Sequence, residues 1–273
     1  MVPLPNFLYG TAWKEERTAE LVLEAIKAGF RAIDTANQRR HYHEAGVGEA
    51  LAKSYWSGIV GREDLFLQTK FTYRGGQDDR LPYDPSASLS EQVAQSMASS
   101  LEHLGTKYVD SFVLHGPASI SAWDESDAEV WAAMLRERDA GRARALGVSN
   151  MSLRNLEAME QAEDAPPAFV QNRCFARLGW DREIRTFCRE REIVYQGFSL
   201  LTANREVLGH QLVRSIADRQ HATVAQVVFA FARQVGILPM TGTSNPAHMH
   251  EDLESLRMRV SDADVGAIEE LVG

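Results

Sequence analysis

The sequence predicts a single (β/α)8 barrel spanning residues 1–273, and three observations carry that expectation. Eight short apolar runs alternate with longer amphipathic stretches along the chain. Dividing 273 residues among eight units leaves roughly 34 each, the size of a strand–helix unit in such barrels. The first run is followed by Gly10-Thr11-Ala12-Trp13, which lacks the G-x-G-x-x-G turn that opens a doubly wound dinucleotide-binding sheet.

The strands are expected at residues 7–11, 31–34, 65–70, 109–115, 144–148, 168–171, 193–196 and 237–240. Each is short, apolar and often β-branched, as parallel strands buried on both faces must be. The first helix is expected over 18–28, with Leu21, Val22, Ala25 and Ile26 on one face and Gly29 as its stop. Ser88 and Glu91 form a capping box ahead of Leu89, Val93, Met97, Leu101 and Leu104, and Gly105 ends that helix. Thr223 and Gln226 repeat the box before Val227, Ala230 and Phe231, while 180–192 and 246–257 are further helical stretches. The polar stretch 75–85 reads as a long loop between the third strand and its helix, so no linker divides the chain.

Charge and composition exclude several classes. With 29 basic and 38 acidic residues the net charge is −9, which repels a phosphate backbone, so no nucleic-acid partner is expected. No run approaches the roughly 18–20 apolar residues that span a bilayer, so no membrane partner is expected. The first ten residues lack the basic-then-apolar pattern of a secretory signal, and Cys174 and Cys188 fit neither a disulfide framework nor a zinc motif. Buried thiols in a cytoplasmic protein are the expectation.

Chemistry in a barrel gathers where strands end. The ionisable residues there are Asp34, Lys70 and His115, with Tyr42 in the loop after the second strand. Each alone reads as a cap, a solvated charge or a structural ring. Together they form a proton-donating site: an ammonium beside a phenol favours the phenolate and lowers its pKa, and a carboxylate holds the ammonium. A histidine can orient a substrate carbonyl. Such a set has neither nucleophile nor metal cage, and needs an external hydride.

These residues lie within longer motifs. Gly29-Phe30-Arg31-Ala32-Ile33-Asp34-Thr35-Ala36 and Glu44-Ala45-Gly46-Val47-Gly48-Glu49-Ala50-Leu51 resemble the second-strand signature of aldo-keto reductases. Gln68-Thr69-Lys70-Phe71, Val109-Asp110-Ser111-Phe112-Val113-Leu114-His115-Gly116-Pro117 and Gly141-Arg142-Ala143-Arg144-Ala145-Leu146-Gly147-Val148-Ser149-Asn150 are similar to the next three. The resemblance runs over residues 8–253. It implies a monomeric reductase of small carbonyl compounds that uses NADP(H), with NAD(H) as the other cofactor. Tyr42 would be the general acid, Lys70 and Asp34 its tuning pair, and His115 the orienting residue. Ser149, Asn150 and Gln171 would bind the nicotinamide carboxamide, and Phe198 stands where the family usually stacks a tyrosine. Ser199 and Leu201 would follow the pyrophosphate, with further cofactor contacts from Gly10, Thr11, Asp34, Thr243 and Asp252.

Three departures from the family pattern matter. The loop from Asp34 to Tyr42 is longer than usual, and counting back from Glu44 without a gap puts His41 in the acid position. Tyr42 is preferred because a phenol is what the lysine pair activates. Met240 and His248 stand where the family commonly has Lys and Arg on the 2′-phosphate. Each lost charge-assisted contact is worth about 1.5–3 kcal/mol, so a weakened preference for NADPH is expected, with Thr241 and His248 still in reach. Gly116 replaces a bulky aromatic and should widen the substrate mouth, with Trp13, Tyr73, Trp123 and Phe175 as candidate walls. The final helix, capped near Ser261, reaches 271–273 without the tail that longer members fold over the mouth, which again suggests an open site. Two other functions stay open: a nicotinamide-nucleotide-binding regulatory subunit with little turnover, and a barrel isomerase or lyase of phosphorylated substrates.

Overall fold

A computed structural model describes residues 4–119 and 122–271. Among them, eight parallel strands hydrogen-bond in chain order and close into a barrel. They are β1 (Leu8–Gly10), β2 (Ala32–Asp34), β3 (Phe66–Phe71), β4 (Val109–Leu114), β5 (Ala143–Ser149), β6 (Phe169–Arg173), β7 (Val194–Phe198) and β8 (Leu238–Thr241). Tyr9 in β1 sits opposite Ile33 of β2 on one side and Thr241 of β8 on the other, which closes the ring. Every expected strand is present, with ends displaced by at most two residues.

Helices follow the strands on the outside. The first six are Thr18–Ala28, Glu44–Trp56, Leu89–Leu104, Glu125–Asp139, Leu153–Ala162 and Arg182–Glu190. After β7 come three, Arg205–Gly209, Gln211–Gln220 and Val224–Gln234, and after β8 come Pro246–Glu254 and Asp262–Glu269. Both capping boxes form, at Ser88 with Glu91 and at Thr223 with Gln226. Gly29 and Gly105 end their helices at φ 118° and 61°, left-handed angles that a side chain disfavours. The helix expected over 180–192 starts later, because Trp180 and Asp181 are themselves left-handed, at φ 56° and 53°. That turn buries the Trp180 ring 4.9 Å from the Phe231 ring, so core packing overrides the helical pattern. The stretch 75–85 is largely a loop, as expected, with one short turn at Arg74–Gly76. Ser261 caps the last helix, and residues 272 and 273 of the expected chain end lie outside the described residues. Among the described residues, no helix is long and apolar enough to cross a membrane.

Strand alternation sorts side chains between two cores. Tyr9, Ile33, Leu67 and Phe112 join the large cluster shared with the helices. Leu8, Ala32, Phe66, Phe169 and Leu238 form a separate small cluster inside the barrel. Two residues further along β2, β3 and β6, the same face carries Asp34, Gln68 and Gln171, all buried. Register places Asp34 opposite Gln68, and Gln171 opposite Gln196 of β7. An apolar floor is thus overlaid by a polar layer, and the strand ends open above it.

Candidate active site

Two residues past Gln68, Lys70 emerges on that interior face, fully buried. Its Nζ donates to Asp34 Oδ1 at 2.6 Å and to the Thr35 carbonyl at 2.8 Å. Asp34 Oδ1 also accepts from Gln68 Nε2 at 2.8 Å and from Gln171 Nε2 at 3.1 Å. Gln196 ties the two glutamine amides together through its Oε1, at 2.8 and 2.9 Å. A buried ion pair is costly unless its remaining polar atoms are satisfied, and these amides supply the donors. Burial pushes the Lys70 pKa down, with Asp34 pulling it back up.

Above this pair, the Tyr42 ring centroid lies 5.1 Å from Lys70 Nζ and 5.8 Å from the His115 ring. His41, the alternative from the motif count, stacks instead on Trp13, with ring centroids 4.1 Å apart. The Tyr42 phenol departs from the expected direction. Burial, followed by the charge of Asp34, holds it well above the ordinary tyrosine range, so the neighbouring ammonium does not make a phenolate. The proton therefore stays on the oxygen, as a donor requires. Burial, then Lys70 and His41, push His115 down to about 3, so its imidazole is neutral at physiological pH. The His115 Nδ1 lies 2.7 Å from Thr72 Oγ1.

A cleft of about 850 Å³ runs from Trp13 and Phe198 to the start of the helix at Pro246. Of the expected cofactor contacts, Gly10, Phe198, Ser199 and Leu201 line one part of it. Met240, Thr241, Thr243, His248 and Asp252 line the other. Ser149, Asn150 and Gln171 are not in its wall. Ser149 Oγ donates to the Gln171 carbonyl and Asn150 Nδ2 to the His115 carbonyl, so these residues are fixed beside His115. Thr11 also stands apart from the wall, donating to the Asp34 carbonyl at 3.0 Å. Both protons of the Gln171 amide go to Asp34 and Gln196, which leaves its carbonyl oxygen as the group for a ligand. A hollow of about 950 Å³ also lies at the opposite end of the barrel, around Arg185 and Ile237, but it meets strand starts, where barrels do not place their chemistry.

The profile described as the Aldo/keto reductase family matches residues 7–272. The chain belongs to the aldo/keto reductase family. As a member, it is an NAD(P)H-dependent oxidoreductase. An aldo-keto reductase of Mycolicibacterium vanbaalenii is 30% identical over 250 residues, covering 92% of this chain and 81% of that one. The structure of an aldo/keto reductase from Brucella melitensis superimposes with a TM-score of 0.83 at 27% identity, covering 98% and 95% of the two chains. An aldo-keto reductase complexed with NADPH gives the same TM-score at 24% identity, covering 98% and 84%.

Against the family pattern, the mouth shows both openings and substitutions. A Cβ built on Gly116 would meet nothing closer than 3.8 Å, so the place of the family's bulky ring is open. Tyr73 and Trp123 are less available as walls, since they donate to Asp127 and Glu163 and pack against the core. Lys14 went unrecognised in the sequence, where a lone loop lysine reads as solvated. It is buried in the cleft wall, donates to the Gly242 carbonyl at 2.8 Å, and has no carboxylate within 4.0 Å among the described residues. Burial and Arg17 push its pKa down to about 8. Gln68, Gln196 and Thr72 were likewise missed, because nothing in a single strand reveals which neighbour its side chain will meet.

Proposed function

We propose that this protein reduces aldehydes and ketones, with Tyr42 protonating the carbonyl oxygen and NADP(H) as the preferred cofactor over NAD(H). The observation that carries the assignment is the Tyr42 ring beside both the Lys70 ammonium and the His115 imidazole. The cleft suits an extended dinucleotide. Phe198 offers an aromatic face, Lys14 a buried cation without a carboxylate partner, and Asp252 Oδ2 a buried acceptor without a partner among the described residues. The similar reductase solved with NADPH supports the phosphorylated cofactor.

When bound, the cofactor supplies the hydride for the carbonyl carbon. Tyr42 keeps its proton until negative charge develops on the carbonyl oxygen, then donates it. Lys70 stabilises the phenolate left behind, and Asp34 holds the ammonium in place. Neutral His115 orients the oxygen.

Loss of reduced-nicotinamide absorbance with a panel of aldehydes tests this, using Tyr42→Phe and His41→Phe. General acids contribute about 10²–10⁴-fold. Tyr42→Phe should lose turnover on that scale with cofactor binding intact, while His41→Phe stays near wild type. The reverse pattern overturns the assignment. Tight cofactor binding without turnover of any aldehyde by the wild-type protein would favour the regulatory role.

A further inference from the structure

Thr72 follows β3 directly, and only 6% of its surface is exposed. Among the described residues its hydroxyl meets one polar atom, Nδ1 of His115, at 2.7 Å. The Thr72 carbonyl is engaged separately, accepting from Tyr83 Oη at 2.8 Å and from Gln77 Nε2 at 3.4 Å. The His115 backbone is strapped on both sides, its N–H donating to the Phe71 carbonyl and its carbonyl accepting from Asn150. What remains to be set is the ring, and the Thr72 hydroxyl is the group that meets it.

A neutral imidazole carries one proton, on Nδ1 or on Nε2, and the two tautomers present opposite chemistry. If Nδ1 held the proton, it would donate to Thr72 Oγ1, and the hydroxyl proton of Thr72 would have no acceptor among the described residues. A buried donor without a partner carries a full desolvation penalty. If Thr72 donates instead, Nδ1 accepts, both groups are satisfied, and the imidazole proton resides on Nε2. The second arrangement is the one without an orphaned proton.

We propose that Thr72 is a positioning residue that donates to His115 Nδ1 and so fixes the Nε2–H tautomer, giving the site a neutral donor for the substrate carbonyl oxygen. The substrate half of this inference rests on the carbonyl-reductase reading above; the tautomer half does not. With the other tautomer, a lone pair on Nε2 would face the carbonyl oxygen and repel it. The imidazole stays neutral across physiological pH, so the tautomer rather than ionisation decides what His115 offers.

The test combines ¹⁵N NMR of the His115 ring, assigned with His115→Asn, with steady-state kinetics of Thr72→Val and Thr72→Ser. Valine keeps the shape and removes the donor; serine keeps the donor. The wild-type spectrum should show a bare Nδ1 and a protonated Nε2. Thr72→Val should give a tautomer mixture and a kcat about three- to tenfold lower, the scale of one hydrogen bond, with cofactor Kd unchanged. Thr72→Ser should restore both. A protonated Nδ1 in the wild type, or an unchanged tautomer in Thr72→Val, overturns the proposal. The wild-type spectrum alone decides the tautomer, so a valine variant that fails to fold leaves the test intact. A fully active Tyr42→Phe beside a confirmed Nε2–H would refute the acid assignment and leave the tautomer standing.

Discussion

Replacing Asp252 by Asn should stabilise the protein, by an amount that grows with pH. The Asp252 carboxyl is 3% exposed, and its Oδ2 has no hydrogen-bond partner among the described residues. Burial raises its pKa from 3.8 to about 6, although a hydrogen bond from Thr241 and the proximity of His248 pull the other way. The folded chain therefore holds this proton more tightly than the unfolded chain. The stability that the protonated form contributes is fully present below pH 4 and is lost as pH rises through 6. A shift of about two units at 1.36 kcal/mol per unit costs about 3 kcal/mol once both states are ionised. At pH 5 the same relation leaves a deficit of about 1.5 kcal/mol. Asparagine keeps the shape without ionising, so the variant should gain about 1.5 kcal/mol at pH 5 and about 3 kcal/mol at pH 8. Urea unfolding followed by tryptophan fluorescence at both values measures the gap, and the other titrating groups cancel in the difference. A gap independent of pH, or a variant less stable at pH 8, would refute the argument.

Other outcomes follow from the same geometry. Lys14→Met should weaken cofactor binding roughly ten- to a hundredfold, as loss of a charge-assisted contact implies. In the wild type, titration of cofactor fluorescence should show Kd rising above pH 8, where Lys14 loses its proton. The pH profile of kcat should be flat between pH 5 and 8, because His115 titrates near 3 and burial holds Tyr42 above the ordinary range. A limb near pH 6.5 that vanishes in His115→Asn would contradict this. Gly116→Trp should fill the open mouth and lower kcat/KM for bulky ketones while sparing small aldehydes. Equal losses for both would show that the opening does not set selectivity.

The strands and the strand-end residues Asp34, Lys70 and His115 were legible in the sequence for the same reason. Parallel barrel strands are buried on both faces, so each reads as an apolar run, and an ionisable residue closing such a run stands out. Helix ends marked by Ser88, Gly105 and Thr223 were legible because a cap is a local hydrogen bond or a local φ. Trp180 defeated the helical pattern because its position is decided by Phe231, some fifty residues away in the chain. The site follows the same division. That Lys70 shares a face with Gln68 follows from alternation. That Gln68 and Gln171 both donate to Asp34 Oδ1 depends on the register of β2, β3, β6 and β7, which no single strand encodes.

Burial, and not the lysine, sets the sign of the Tyr42 shift, and the shared oxygen of Asp34 bears on its size. The sequence suggests a carboxylate with one task, holding Lys70, and an ammonium free to lower the phenol. In the structure the ammonium is fully buried and engaged by Asp34 and the Thr35 carbonyl, and burial acts on the Tyr42 phenol as well. Desolvation comes first among the causes that raise Tyr42, and Asp34 second. The two glutamine amides draw on the carboxylate that would otherwise act on Tyr42 and Lys70 alone. The polar layer beneath the site therefore bears on how readily Tyr42 releases its proton. Removing a donor from Asp34, as in Gln68→Leu, should leave more negative charge facing the phenol. It should raise the Tyr42 pKa further and slow proton donation without altering any residue that touches substrate. An unchanged kcat in Gln68→Leu, with the fold intact by circular dichroism, would show that Lys70 alone sets the balance.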